Sequence, residues 1–197
     1  MNSSVAGGTR APIHWEKMRY PVVLILLQLI LIAPHRSYAQ SSPHVRFLDP
    51  ILKGLFDEGM QQSPTLRALV EKVEAAPILV FIEGDIRMPT HIGARLNFVT
   101  SVNGLRYVRV DIDCTLSPRR QIALLAHELQ HALEIGERTD ILDAEGMESL
   151  YEEIGFQSSD SGAHKSYETE TAKAVQRAVD EEMGTRPARG VSGQTAY

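Results

Sequence analysis

Of 197 residues only Cys114 is a cysteine, so no intramolecular disulfide can form and a disulfide-stapled scaffold is excluded. Low-complexity segments are missing too, which leaves stability to a packed core and to a bound metal if there is one. Basic residues are in deficit, 20 Lys and Arg against 25 Asp and Glu. That balance argues against nucleic acid or an anionic membrane surface as partner. The only long apolar run, Pro21 to Ala33, is short for a helix that spans a bilayer.

That run has a specific setting. Arg10, Lys17 and Arg19 precede it, and Ser37-Tyr38-Ala39 follows with small residues at −3 and −1 before Gln40. A positive start, a short apolar stretch and a small-residue site describe a secretory signal peptide over residues 1–39, cleaved after Ala39. A retained signal anchor is the alternative, and would be the only membrane association. Either way the rest is expected outside the cytoplasm, secreted or periplasmic. Removing residues 1–39 takes away four basic residues and one acidic residue, so the mature chain has a net charge near −8. What remains is expected to form one domain over residues 40–183, with a Gly/Thr/Arg/Pro-rich disordered tail over 184–197.

The most informative stretch is Ala126-His127-Glu128-Leu129-Gln130-His131-Ala132. Ile122, Leu124, Leu125, Leu129 and Leu133 make it a buried helix, with Ser117-Pro118 as its start and Gly136 as its stop. On a helix, residues four apart stack on one face, so His127 and His131 can share one zinc ion. Glu128 lies about 100° round the helix, within reach of a water there. The Lewis acidity of zinc with a carboxylate beside it suits peptide-bond hydrolysis without a protein nucleophile. The bland alternative, a core helix with two incidental histidines, would bury two imidazoles and a carboxylate to no purpose.

At these residues the chain resembles the zincin metallopeptidases, in a small, secreted, bacterial-like form. The resemblance covers Thr115 to Gly136 and extends more loosely from the preceding strands to the helix after Ser166. The metzincin branch would have a glycine three residues after His131 and a histidine six after it; Glu134 and Glu137 stand there instead. The remaining branch, the gluzincins, takes its third ligand from a Glu on a later helix.

Other elements follow from periodicity and caps. Phe47 to Met60, capped by Asp49-Pro50, and a helix begun by Ser63-Pro64 with Leu66, Leu69, Val70 and Val73 on one face look structural. Ile78–Glu83, Ala94–Ser101 and Leu105–Asp113 read as strands, the last two joined by the hairpin signal Asn103-Gly104. The predicted fold is therefore α+β, a small, mostly antiparallel sheet of about three strands packed on the His127–His131 helix and further helices, zincin-like. The resemblance implies that an edge strand lines the cleft and binds extended peptide. A helix from Ile141 to Ile154 is capped by Thr139 or Asp140 and ended by Gly155, with Leu142, Met147, Leu150 and Tyr151 as core contacts; Gln157–Ala163 reads as a loop.

In the last helix, Tyr167 to Met183 with Ser166 as cap, Glu168, Ala172, Val175 and Val179 share a stripe, which makes Glu168 the inward carboxylate. Matched to the gluzincin pattern, it is the expected third ligand. Glu170 points away by about 200°; it, His164 and Glu137 are the alternatives, or no third protein ligand. Many gluzincins place an Asp four residues after this Glu to orient a zinc-bound histidine, but Ala172 stands there. The expected centre is thus one Zn²⁺ per chain on His127, His131 and Glu168, with Glu128 as general base and a peptide or protein as substrate. Tyr151, His164 and Tyr167 are candidates for a second oxyanion donor by type and location. Cys114 reads as a small buried residue at a strand end. The competing class is a secreted zinc-binding protein without turnover, closed by a fourth ligand such as His164.

Overall fold

The computed structural model describes residues 43–89, 91–160 and 165–185. The expected signal segment, His164 and most of the expected tail lie outside them.

Strand β1 (Val45–Phe47) leads into helices α1 (Pro50–Gln62) and α2 (Pro64–Ala75). Both begin as their sequences dictate. The Asp49 carboxylate accepts from the N–H groups of Ile51 and Leu52, the Ser63 hydroxyl accepts from that of Leu66, and a proline opens each first turn. Strands β2 (Ile78–Asp85), β3 (Ala94–Val102) and β4 (Leu105–Asp113) follow. Asn103 and Gly104 both take positive φ, 52° and 79°, the tight reversal that an Asn-Gly pair favours between antiparallel strands. Helix α3 (Pro118–Gly136) carries the histidines, and α4 (Ala144–Ile154), β5 (Phe156–Asp160), β6 (Lys165–Glu168) and α5 (Glu170–Gly184) complete the order.

The α+β class holds, but the sheet is mixed rather than mostly antiparallel. Its order is β1-β2-β4-β3; β1 pairs with β2 and β2 with β4 in parallel, while β3 and β4 are antiparallel. Local pattern identifies hairpins but not which distant strand a strand will join. Here β3 goes to the edge and leaves β4 to close on β2. β5 and β6 form a second, two-stranded sheet, β5 where the loop Gln157–Ala163 was expected and β6 where the last helix was expected to begin.

Even-numbered residues of the central strands face the helices. Ile78, Val80, Ile82, Val108, Val110 and Ile112 are buried in one cluster with Leu52, Phe56, Leu66, Val73, Ile122, Leu125 and Leu129. α3 is buried without a break from Gln121 to Leu133, packed against the sheet and against α5. Gly136 is the last residue of α3, at the stop read from the sequence. A Cβ there would stand 3.1 Å from Ala76 Cβ and Ile78 Cγ2, so the glycine serves close helix–strand approach. Past α3 the chain is pinned by buried Arg106, whose guanidinium donates to the carbonyls of Gly104, Arg138 and Ile141.

Three element boundaries shift. α4 is capped by Asp143, not Thr139 or Asp140, because the Asp143 carboxylate accepts from the Gly146 N–H. α5 is capped by Thr169, not Ser166, so Glu168 ends a strand and does not open a helix. Phe47 belongs to β1, which parallel pairing with β2 creates. Among the described residues no helix is long and apolar enough to cross a membrane.

Candidate metal centre

The centre is assembled from one turn of α3 and the end of β6. His127 and His131 lie one above the other on α3, buried at 5% and 6% exposure. Their rings meet edge to face, and the two Nε2 atoms are 3.1 Å apart. Glu168 reaches the same point from the far end of the chain, its Oε2 lying 3.1 Å from His127 Nε2. One ligand atom from each of the three falls within 4.8 Å of the others. The structure thus brings together the three residues expected to hold metal. Glu168 arrives by a different route from the one its helical stripe suggested: the β5–β6 hairpin carries it. Glu170 is exposed in the first turn of α5.

The donor set suits zinc. Two nitrogens on one tetrahedral zinc at about 2.1 Å stand about 3.4 Å apart, close to the spacing seen here, and imidazole with carboxylate is a zinc combination. Charge points the same way. Glu128 and Glu134 flank the two imidazoles along α3, and Glu168 completes a set of three carboxylates whose mutual repulsion a dication would offset.

Glu128 is only 6% exposed, and burial raises its carboxyl above the usual range even though both imidazoles pull the other way. On His127, burial would lower the pKa. The hydrogen bond with Glu168 and the charges of Glu128, Glu168 and Glu134 outweigh it, and the pKa is raised. For Glu168 burial acts upward, but the hydrogen bond from His127 and the charges of His127, His131 and Lys173 win, and the pKa is lowered.

Each imidazole has a different back side. His131 Nδ1 is 2.9 Å from Glu134 Oε2. Thr169, the cap of α5, donates its hydroxyl to Glu134 Oε1 at 2.9 Å. His127 Nδ1 is buried with no hydrogen-bond partner among the described residues. The gap at Ala172 is therefore real on one histidine and filled on the other. Glu134 was noted in the sequence only as the residue standing where a metzincin has glycine. Its position three residues after His131, on the same helix face, was the available signal.

No protein-family model, curated protein or solved structure matches the chain.

The candidate oxyanion donors separate. The Tyr151 hydroxyl donates to the carbonyl of His131 at 3.1 Å while its ring packs edge-on against the His131 ring. Burial, with Glu134 and Glu128 behind it, raises the phenol well above its ordinary range, so it braces the α3 turn as a neutral donor. Tyr167 donates to Glu152 at 3.1 Å and ties β6 to α4. Cys114 packs against Gly84 beside Asp49. Burial and the neighbouring carboxylates of Asp49, Asp113 and Asp85 raise its thiol, the reverse of what a nucleophile needs.

Proposed function

We propose that this chain is a zinc-dependent peptidase of the gluzincin kind, with His127, His131 and Glu168 holding one Zn²⁺ and Glu128 acting as general base. The observation that carries the reading is the meeting of ligand atoms from α3 and β6, residues 37 to 41 positions apart in sequence, beside a buried carboxylate of raised pKa. A structural site gives such a carboxylate no task, whereas a general base near neutral pH needs that shift.

Bound zinc would supply Lewis acidity to a water molecule and to the scissile carbonyl. The protein's own residues do the remaining work. His127, His131 and Glu168 would hold the ion with three donor atoms. Glu128 would take a proton from the attacking water and pass it to the departing amine. β3, an edge of the sheet with a bulge between Phe98 and Thr100, offers unpaired backbone to an extended peptide. The substrate is accordingly a peptide or protein segment, met outside the cytoplasm if residues 1–39 act as a signal.

The test is Glu128→Gln in the full chain. Metal analysis should find about one zinc per chain in parent and variant alike, while hydrolysis of a peptide library falls by about 10²–10⁴-fold in the variant. A variant that still hydrolyses at the parental rate would overturn the mechanism. Parent and variant equally inert with zinc bound would make the chain a zinc-binding protein without turnover.

A further inference from the structure

Resting on the reading of His127, His131 and Glu168 as ligands, we propose that Glu134 is the positioning residue of the centre, fixing His131 with one oxygen and, with the other, the residue next to Glu168.

The Glu134 side chain is only 10% exposed, and it lies against the His131 imidazole. Both of its oxygens are engaged. Oε2 faces His131 Nδ1 at 2.9 Å, and Oε1 accepts from the Thr169 hydroxyl at 2.9 Å and from Gln130 Nε2 at 3.3 Å. An ionised carboxylate only accepts, so the hydrogen at this contact sits on Nδ1 of His131. Nε2 then keeps its lone pair and presents it toward His127 Nε2, 3.1 Å away, and the Glu168 carboxylate beyond.

The second oxygen extends the arrangement to the other side of the site. Thr169 is 4% exposed, and its hydroxyl is used twice, donating to Glu134 and accepting from the Ala172 N–H at 3.1 Å. It therefore starts α5 and ties that start to α3 with a single group. Glu168 is the residue immediately before it, so the chain His131–Glu134–Thr169 sets the orientation of one ligand and the backbone position of another together. A carboxylate that merely capped a helix would need neither the imidazole nor this pairing.

The experiment uses the full chain, stripped of metal, as parent, Glu134→Gln, Thr169→Val and Thr169→Ser. Zinc alone is titrated against a chromophoric chelator near neutral pH, and the ¹⁵N shifts of the His131 ring are read in the metal-free state. In the parent, His131 should be the Nδ1–H tautomer. Glutamine has a single acceptor oxygen. Given to Thr169, it turns the amide N–H toward His131 and drives the ring hydrogen to Nε2, where it blocks ligation. Zinc affinity in Glu134→Gln should fall about 10–100-fold, with the tautomer reversed. Thr169→Val should weaken zinc in the same direction, and Thr169→Ser, which keeps the hydroxyl, should restore the parental value. Where Glu134→Gln does not fold, the two Thr169 variants carry the same test. Parental affinity and an unchanged tautomer in Glu134→Gln, with the parent binding zinc, would sink the positioning role alone. A parent that takes up no zinc sinks the metallopeptidase reading, and the tautomer, which needs no metal, still reports on Glu134.

Discussion

His127 and Glu168 form a hydrogen-bonded pair across 3.1 Å, and their pKa values move apart as those of such a pair must. The raised His127 pKa contributes stability that is full below the ordinary histidine range and is lost as pH rises through the raised value. The lowered Glu168 pKa contributes stability present above the ordinary carboxylate range and lost as pH falls through the lowered value. Metal-free protein should therefore gain most from this pair in mildly acidic solution. Zinc needs the imidazole without its proton, so zinc affinity should fall as pH drops through the raised His127 pKa. Thermal unfolding of chelator-treated protein and zinc titrations, both run across pH, should give these opposite trends. The same slope with and without metal would show that the pair does not occupy the metal position. The resting arrangement also explains why two histidines persist inside α3: each imidazole has found a carboxylate, and of their ring nitrogens His127 Nδ1 is the one left without a partner among the described residues.

The elements that place Glu168 depend on close backbone contacts. A Cβ on Gly155 would stand 2.8 Å from the carbonyl oxygens of Glu168 and Tyr151. Its φ of −109° suits any residue, so glycine is required there for space and not for conformation. Gly155→Ala should displace Glu168 at the end of β6 and weaken zinc binding by about tenfold or more, an effect within the range for disturbed ligand support. Zinc titration checks it, and unchanged affinity would mean that the hairpin yields without moving Glu168. A second element-scale device joins α5 to α2. Glu182 accepts from the hydroxyls of Ser63 and Thr65 and from the Thr65 N–H at 3.3 Å, placing a carboxylate at the N-terminus of α2. Glu182→Ala should cost about 1–2 kcal/mol in a urea unfolding experiment. Since Glu182 lies in the last turn of α5, at the opposite end from Glu168, zinc affinity should stay close to the parental value.

For the whole molecule, a metal that joins α3 to the β5–β6 hairpin links residues the backbone leaves far apart. A two-stranded hairpin is marginal by itself, and this one rests on α4, with Lys173 of α5 lying over the Phe156 ring. Zinc at about 100 times its Kd should add about 2.7 kcal/mol to stability. For a folded unit of this size that corresponds to a rise in Tm of about 5–10 °C over chelator-treated protein. Scanning calorimetry with and without zinc reads the difference directly, and equal Tm values would mean no metal binds the folded state in preference to the unfolded one. Much of this molecule is legible in its sequence because the signals are local. Asp49-Pro50, Ser63-Pro64, Asn103-Gly104 and the alternation through Leu105–Asp113 act over a few residues, and each is found where it was read. The spacing of His127, Glu128 and His131 is of the same kind, since one helical turn sets it whatever surrounds the helix. Tertiary structure alone decided the rest. The parallel pairing of β2 with β4, the strand made of residues that looked like loop, and the Glu134–Thr169 contact all depend on which distant backbone offers a partner. Glu168 shows the difference most clearly: its stripe on a supposed helix singled out a residue that does lie beside His127, but that place comes from the β5–β6 hairpin and not from a helix.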